Sequence, residues 1–212
     1  MIRTWWKLAS IALLAALAVP SLIGQAKLTP DDLTQKKSMG SPTAPIKMEV
    51  FSDYQCPACR ELYMTTTRPL IDNYVSSGKV YLVHRDFPLS MHTYSRVAAH
   101  WLNAAAAAGD FQAAENVLYT KQDQWGSSGN VEQTLASGLP AADMAKVRAV
   151  EASQKAQLDA AVQFDVNMGN SRNVTGTPSI FVIHRGQTIP LPSGPVPYPL
   201  LKQYLDSLLA QR

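Results

Sequence analysis

A second cysteine pair, a spaced pair of histidines and any cluster of Lys and Arg are missing from this sequence, and each absence removes a class of function. Cys56 and Cys59 are the only two cysteines in 212 residues. Structural zinc asks for about four ligands, usually as two spaced pairs. His84, His92, His100 and His184 stand apart from one another with no His-x3–5-His spacing, so nothing completes a metal site and none is expected. Charge is also sparse, at 17% of residues with a net of +3. Without a basic stripe or a Lys/Arg-rich helix, the chain does not read as a nucleic-acid binder. Repeats of fixed period are absent, which excludes solenoids and arrays. Apolar residues reach 46%, enough for one folded domain with a core and an insertion.

Long apolar runs are lacking too. The longest, Leu8 to Val19, falls short of the ~20 residues of a spanning helix. Arg3 and Lys7 precede it, Pro20 breaks it, and "GQA" at 24–26 offers small residues before a cut at Lys27. That is the grammar of a secretory signal. Counting Trp5, Trp6, Leu22 and Ile23 lengthens the run toward a membrane anchor, so residues 1–26 are expected to be a cleaved signal or a retained anchor. In both cases the folded part lies outside the cytoplasm, periplasmic or secreted, where disulfides persist. Membrane contact is expected only if that segment is retained.

Residues 27–45, with Pro30, Gly40, Pro42 and Pro45, read as a linker holding one helical turn near Asp31 to Lys36. Ile46 to Phe51 is a short β-type run. Cys59 to Gly78 reads as a helix kinked or divided by Pro69, and Lys79 to Phe87 as a second strand. The chain then turns Ala-rich. Four helices are expected, at His92–Ala108, Phe111–Gln124, Ala141–Val150 and Ser153–Met168. β character returns at Pro178–Gly186 and Gln187–Leu191, the latter an edge strand by its Pro190, and Tyr198–Ala210 is a closing helix. "LPSGPVPYP" before that helix reads as a surface connection. The order is an α/β layer arrangement, residues 46–89 and 171–212, interrupted by an all-helical insertion at 90–170.

Three roles compete for the Cys-x-x-Cys pair. As a staple it closes so short a loop that it constrains the unfolded chain little. As a metal site it lacks partners. As a redox dithiol it sits where a strand hands over to a helix, and the unpaired N–H groups of a first turn lower a thiol pKa. Pro57 suits that first turn because its missing N–H costs nothing there. Cys56 is then the exposed, thiolate-prone sulfur and Cys59, one turn deeper, its partner. The composition and compartment favour this third role.

"FSDYQCPAC" at 51–59 and "NVTGTPSIFVI" at 173–183, on either side of an Ala-rich helical block, resemble the two active-site motifs of DsbA-like exported thiol–disulfide oxidoreductases. The resemblance runs from Ile46 to the C-terminus. It implies a thioredoxin-like fold with an inserted helical domain, a nucleophilic Cys56, a buried partner Cys59, and a cis-proline at Pro178 preceded by Thr177. Thr177 would offer its backbone to an extended substrate segment. It implies no cofactor beyond the Cys56–Cys59 disulfide. Expected partners are exported proteins with cysteines and a redox partner that recharges the pair. The family's best-known members carry a histidine where this chain has Ala58, so Cys56 is expected to be less acidic than theirs.

Glu49 is a candidate proton relay under Cys59, against the alternative of an edge or surface glutamate paired with Lys47, its neighbour at period two. Asp53 is expected to cap the helix or the loop before it. In the insertion, His92, Val97, His100 and Trp101 could line a groove. The i, i+4 spacing of Val97 and Trp101 instead favours a core role. The expected activity is donation of the disulfide to substrates through a mixed disulfide at Cys56. A reductase or isomerase of the same fold is the alternative, although no dimerisation segment for an isomerase is visible. A non-catalytic peptide-binding module is the alternative of a different class.

Overall fold

A computed structural model describes residues 27–211. The export segment expected over 1–26 lies outside them. Among the described residues no helix is long and apolar enough to cross a membrane.

Among the described residues the sheet has five strands, in the order β1-β3-β2-β4-β5. They are β1 (Ser38–Met39), β2 (Ile46–Ser52), β3 (Val80–Asp86), β4 (Ser179–His184) and β5 (Gln187–Pro190). β2 and β3 run parallel, pairing Ile46 with Val80 through Ser52 with Asp86, and the other pairings are antiparallel. β2 is therefore central and covered on both faces. Met48, Val50 and Ser52 point to one face and Lys47, Glu49 and Phe51 to the other, by the period of two. β5 ends at Pro190 on an open edge, where a missing N–H breaks no ladder.

The reading of 27–45 as a linker needs correction. Thr29 caps α1 (Pro30–Lys36): its Oγ1 accepts the Asp32 N–H at 3.1 Å, and the Asp32 carboxylate accepts the Thr29 N–H at 2.9 Å. Leu33 is fully buried, Lys37 is fully buried, and β1 joins β3. The segment was misread because its apolar residues are few. What anchors it is a buried charge. Lys37 pairs with Asp86 at the end of β3 and with Asp165 at 2.7 Å. Burial works against the lysine's charge, but the two carboxylates outweigh it and hold its pKa above the ordinary value.

The helix after Cys56 is continuous from Pro57 to Val75 and absorbs Pro69 without a break. It begins as α2 (Pro57–Leu62), widens to a π turn at Tyr63–Thr67, passes through α3 (Arg68–Leu70) and widens again at Ile71–Val75. Arg68 N–H reaches back to the Tyr63 carbonyl, five residues earlier, so the slack around the proline is taken up on both sides.

Between β3 and β4 come α4 (Ser95–Ala108), α5 (Phe111–Thr120), α6 (Gln122–Trp125), α7 (Val131–Ala136) and α8 (Ala141–Ser171). The sequence missed α7. Its two helices at Ala141–Val150 and Ser153–Met168 correspond to α8, which is two helical runs joined across a kink at Gln154 (φ −126°, ψ 19°), close to the expected break. Helix α9 (Tyr198–Leu209) closes the chain, burying Leu201, Leu205 and Leu208.

Candidate functional site

β2 delivers the chain into the loop Asp53–Gln55, and Cys56 is the N-cap of α2 with extended backbone (φ −73°, ψ 123°). The backbone N–H groups of Ala58 and Cys59, in the first turn, face its sulfur and favour the thiolate. The pair is held as two thiols. Cys59 is 1% exposed, and its sulfur accepts the Asp53 N–H at 3.4 Å. Cys56 is 7% exposed, far less open than expected. The Thr177 carbonyl stands 3.6 Å from its sulfur, and the peptide bond from Thr177 to Pro178 is cis. Pro178 itself is buried, and the Gly194 N–H donates to its carbonyl at 3.2 Å.

The two sulfurs are driven apart in acidity. The Cys56 pKa falls to about 5, first because the Cys59 thiol bonds to it and against the opposing effect of burial, with the backbone N–H groups of Cys59 and Ala58 adding to the fall. Burial pushes the Cys59 thiol well up, and the neighbouring Cys56 charge pushes it further. The donors around Cys56 include only the backbone of Ala58, so its methyl side chain does not prevent a strongly acidic thiol.

Helices of the insertion clamp this loop, which the sequence did not reveal. Gln122 Nε2 donates to the Tyr54 and Cys56 carbonyls at 2.7 and 3.1 Å. Gln55 reaches the Gly126 carbonyl and accepts the Tyr94 N–H, both at 2.8 Å. Asp53 caps the loop: Oδ1 accepts the Gln55 N–H, and Oδ2 accepts the Leu89 N–H and His92 Nδ1–H, all at 2.8 Å. His92 thus meets the cysteine loop through Asp53.

The relay expected of Glu49 is corrected by its position. Cys59 shares a small cavity with Val50 and Ser52, on the opposite face of β2. Glu49 is 1% exposed and bonds Lys47 at 2.9 Å, Arg85 at 3.1 Å, and Arg172. Burial raises its pKa, but Lys47, Arg172 and Arg85 together pull it to about 2. A carboxylate so firmly ionised holds structure together. The Lys47 pairing was legible from the period of two, but on a buried central strand rather than an edge.

The core role expected of Val97 fails, since it is 44% exposed, while Trp101 is partly buried and packs against the core. The buried stripe of α4 is made of small residues, Ala98, Ala99 and Ala104–Ala106 with Leu102, which let α8 pack close. His100, on that helix, bonds Asp159 at 2.7 Å and Glu151 at 3.2 Å across the bend in α8.

On the Cys59 side, two more polar residues are buried that the sequence did not single out. His84 Nδ1 lies 3.0 Å from Glu115 Oε1, and its Nε2 lies 2.7 Å from the Tyr54 hydroxyl. A signal for Glu115 existed: it falls between Phe111 and Tyr119 at i+4 steps, on the apolar stripe of α5. Among the described residues no group of three or more His, Cys, Asp or Glu is placed to hold a metal ion.

Residues 33–191 match a family model described as thioredoxin. "Probable disulfide bond formation protein D" of Bacillus cereus is 40% identical over 53 residues, 25% of this chain and 24% of that protein's own length. Among solved structures, alpha-DsbA1 of Wolbachia pipientis matches with a TM-score of 0.65 at 19% identity, covering 81% of this chain and 89% of that one. BdbD of Bacillus subtilis, in its oxidised form, matches at 0.63 and 19%, covering 82% and 92%. At such identities the structural likeness speaks for the fold: a thioredoxin fold with inserted helices, as in DsbA proteins.

Proposed function

Since the chain belongs to the thioredoxin family, we propose that it is an exported thiol–disulfide oxidoreductase acting as an oxidase, giving its Cys56–Cys59 disulfide to substrate proteins. In the oxidised protein, a substrate thiolate attacks Cys56 Sγ. The bond between the cysteines breaks, Cys59 leaves with the electron pair and is protonated, and a mixed disulfide joins substrate to Cys56. A second substrate thiolate then attacks the substrate sulfur of that mixed disulfide. It releases Cys56 as a thiolate, leaving the substrate oxidised and this protein a dithiol. A redox partner must reoxidise it.

The observation that carries this reading is the placement of Cys56 at the N-cap of α2, against the Thr177–cis-Pro178 loop and above a buried Cys59, an arrangement that lowers the Cys56 pKa to about 5. A good leaving thiolate speeds the second step, and a stabilised reduced form makes the disulfide a stronger oxidant. Both favour oxidation of substrates over their reduction. Thr177 and cis-Pro178 beside Cys56 are assigned the docking of an extended substrate segment. The loop tied to Pro178 continues into an apolar groove of about 380 Å³, lined by Leu191, Pro195, Val196, Leu200 and Tyr204, which suits apolar side chains of an unfolded substrate.

A Cys59→Ser variant tests the reading. It should accumulate mixed disulfides through Cys56, released by reductant and absent from a Cys56→Ser, Cys59→Ser double variant. A variant that traps nothing, with a pair that also resists mild reductant, would support a peptide-binding module instead.

A further inference from the structure

One short helix of the insertion, α6, grips the cysteine loop by its backbone. Trp125 anchors that helix: it is fully buried, and its Nε1–H donates to the Leu118 carbonyl of α5 at 2.9 Å. Gln122, at the other end, is buried and gives both N–H groups of its amide to the loop, at the Tyr54 and Cys56 carbonyls. Carbonyl oxygens only accept, so the amide nitrogen must be the atom that faces them. Among the described residues Gln122 is the one side chain bonded to the backbone of Cys56. The Gln55–Gly126 and Arg60–Asp123 bonds tie the loop and α2 to the insertion at other points.

We propose that Gln122 is a positioning residue of the exchange reaction: from the insertion it holds the peptide between Cys56 and Pro57 in the orientation that keeps the Cys56 sulfur over the first turn of α2. The proposal rests on the oxidoreductase reading and adds a residue that sets how strong an oxidant the pair is. An N-cap residue is extended while its carbonyl already belongs to the helix. Cys56 has that form, and its carbonyl accepts the Arg60 N–H at 3.1 Å, the first hydrogen bond of α2. Its N–H is held by the Asp53 carbonyl, also at 3.1 Å. The remaining freedom is ψ, which is the orientation of the 56–57 peptide, and Gln122 holds the oxygen of that peptide. With the amide removed, the peptide can rock, and the N–H groups of Ala58 and Cys59 turn away from the sulfur. The thiolate of the reduced protein loses stabilisation, while the disulfide of the oxidised protein, which carries no charge, loses little. Cys59 is the titratable group bonded to the Cys56 sulfur, and Asp53, bonded to His92, lies in the same loop.

Two readings test this: equilibration of the Cys56–Cys59 pair with glutathione at neutral pH, and thiolate absorbance of the reduced protein across the acid range. The variant is Gln122→Met, which fills much the same space without the donor. Its disulfide should be about tenfold harder to reduce than that of wild type, and the thiolate midpoint of Cys56 should rise by the matching amount, from about 5 to about 6. A role in folding alone would weaken the oxidised and reduced forms equally and move neither reading. Both readings within about twofold of wild type in a folded Gln122→Met overturn the proposal. Gln122→Asn keeps the amide but withdraws it by one methylene, and should move both readings the same way by less. It decides the matter if Gln122→Met fails to fold, and wild-type readings in it overturn the proposal. Gln124→Met, on the exposed side of α6, should match wild type; a change there equal to that of Gln122→Met assigns the effect to α6 as a whole and overturns the role of the Gln122 amide. A wild-type pair that does not exchange with glutathione overturns the oxidoreductase reading, and the positioning role with it.

Discussion

Three positions separate Cys56 from Cys59, and what each sulfur meets decides its chemistry. Cys56 meets the Cys59 thiol and the opening N–H groups of α2, while Cys59 meets a nearly closed interior. In the dithiol protein the Cys56 pKa drops from 9.0 when open to about 5 when folded. The resulting stabilisation is fully present above pH 9, shrinks as the pH falls, and is gone below about 5. Denaturant titrations should therefore find the reduced protein gaining stability between pH 5 and 8 relative to a Cys56→Ser variant. Thiolate absorbance should show a midpoint near 5, moving lower in Ala58→His, where a cation joins the backbone donors. A midpoint near 8 would refute the site geometry. Ala58 was legible as the absence of a side-chain donor. That the sulfur of Cys59 compensates was not legible, because it depends on how the first turn aims it.

At the scale of elements, the strands and the helix after the cysteines could be read from period and punctuation. What pattern reading lost were elements held by charge. Residues 27–45 look like a tether because a lysine reads as surface. Yet Lys37 lies in a network with Asp86, Asp165, Arg85 and Asn103 that joins α1 to β3, α4 and α8. Lys37→Ala should cost about 3–5 kcal/mol, because two buried carboxylates lose a partner. Lys36→Ala, one residue away and exposed, should fall within about 0.5 kcal/mol of wild type. Equal effects in chemical denaturation would restore the tether. Asp165 and Glu115 share this logic: each lies on the buried stripe of its helix, where periodicity flags a position but cannot name a partner from another element.

At the scale of the molecule, the sequence was most legible where two distant motifs had to meet. "QCPAC" and "TGTP" stand more than a hundred residues apart, and the sheet brings them together by pairing β2 with β4, Phe51 opposite Ser179. The same pairing could not be used to place Glu49, since a single strand does not tell which face its helix covers. The insertion does more than fill the gap between motifs. Through Gln122, Gln55, Arg60 with Asp123, and His92, it holds the cysteine loop from one side while the Thr177 loop meets it from the other. The acidic Cys56 sits in the loop so held, its acidity set by Cys59, Thr177 and the first-turn backbone, and it should make the disulfide an oxidant. Equilibration of the Cys56–Cys59 pair with glutathione measures this directly. The account predicts a reduction potential more positive than about −180 mV, and a value below about −250 mV, in the range of a reductase, would contradict it.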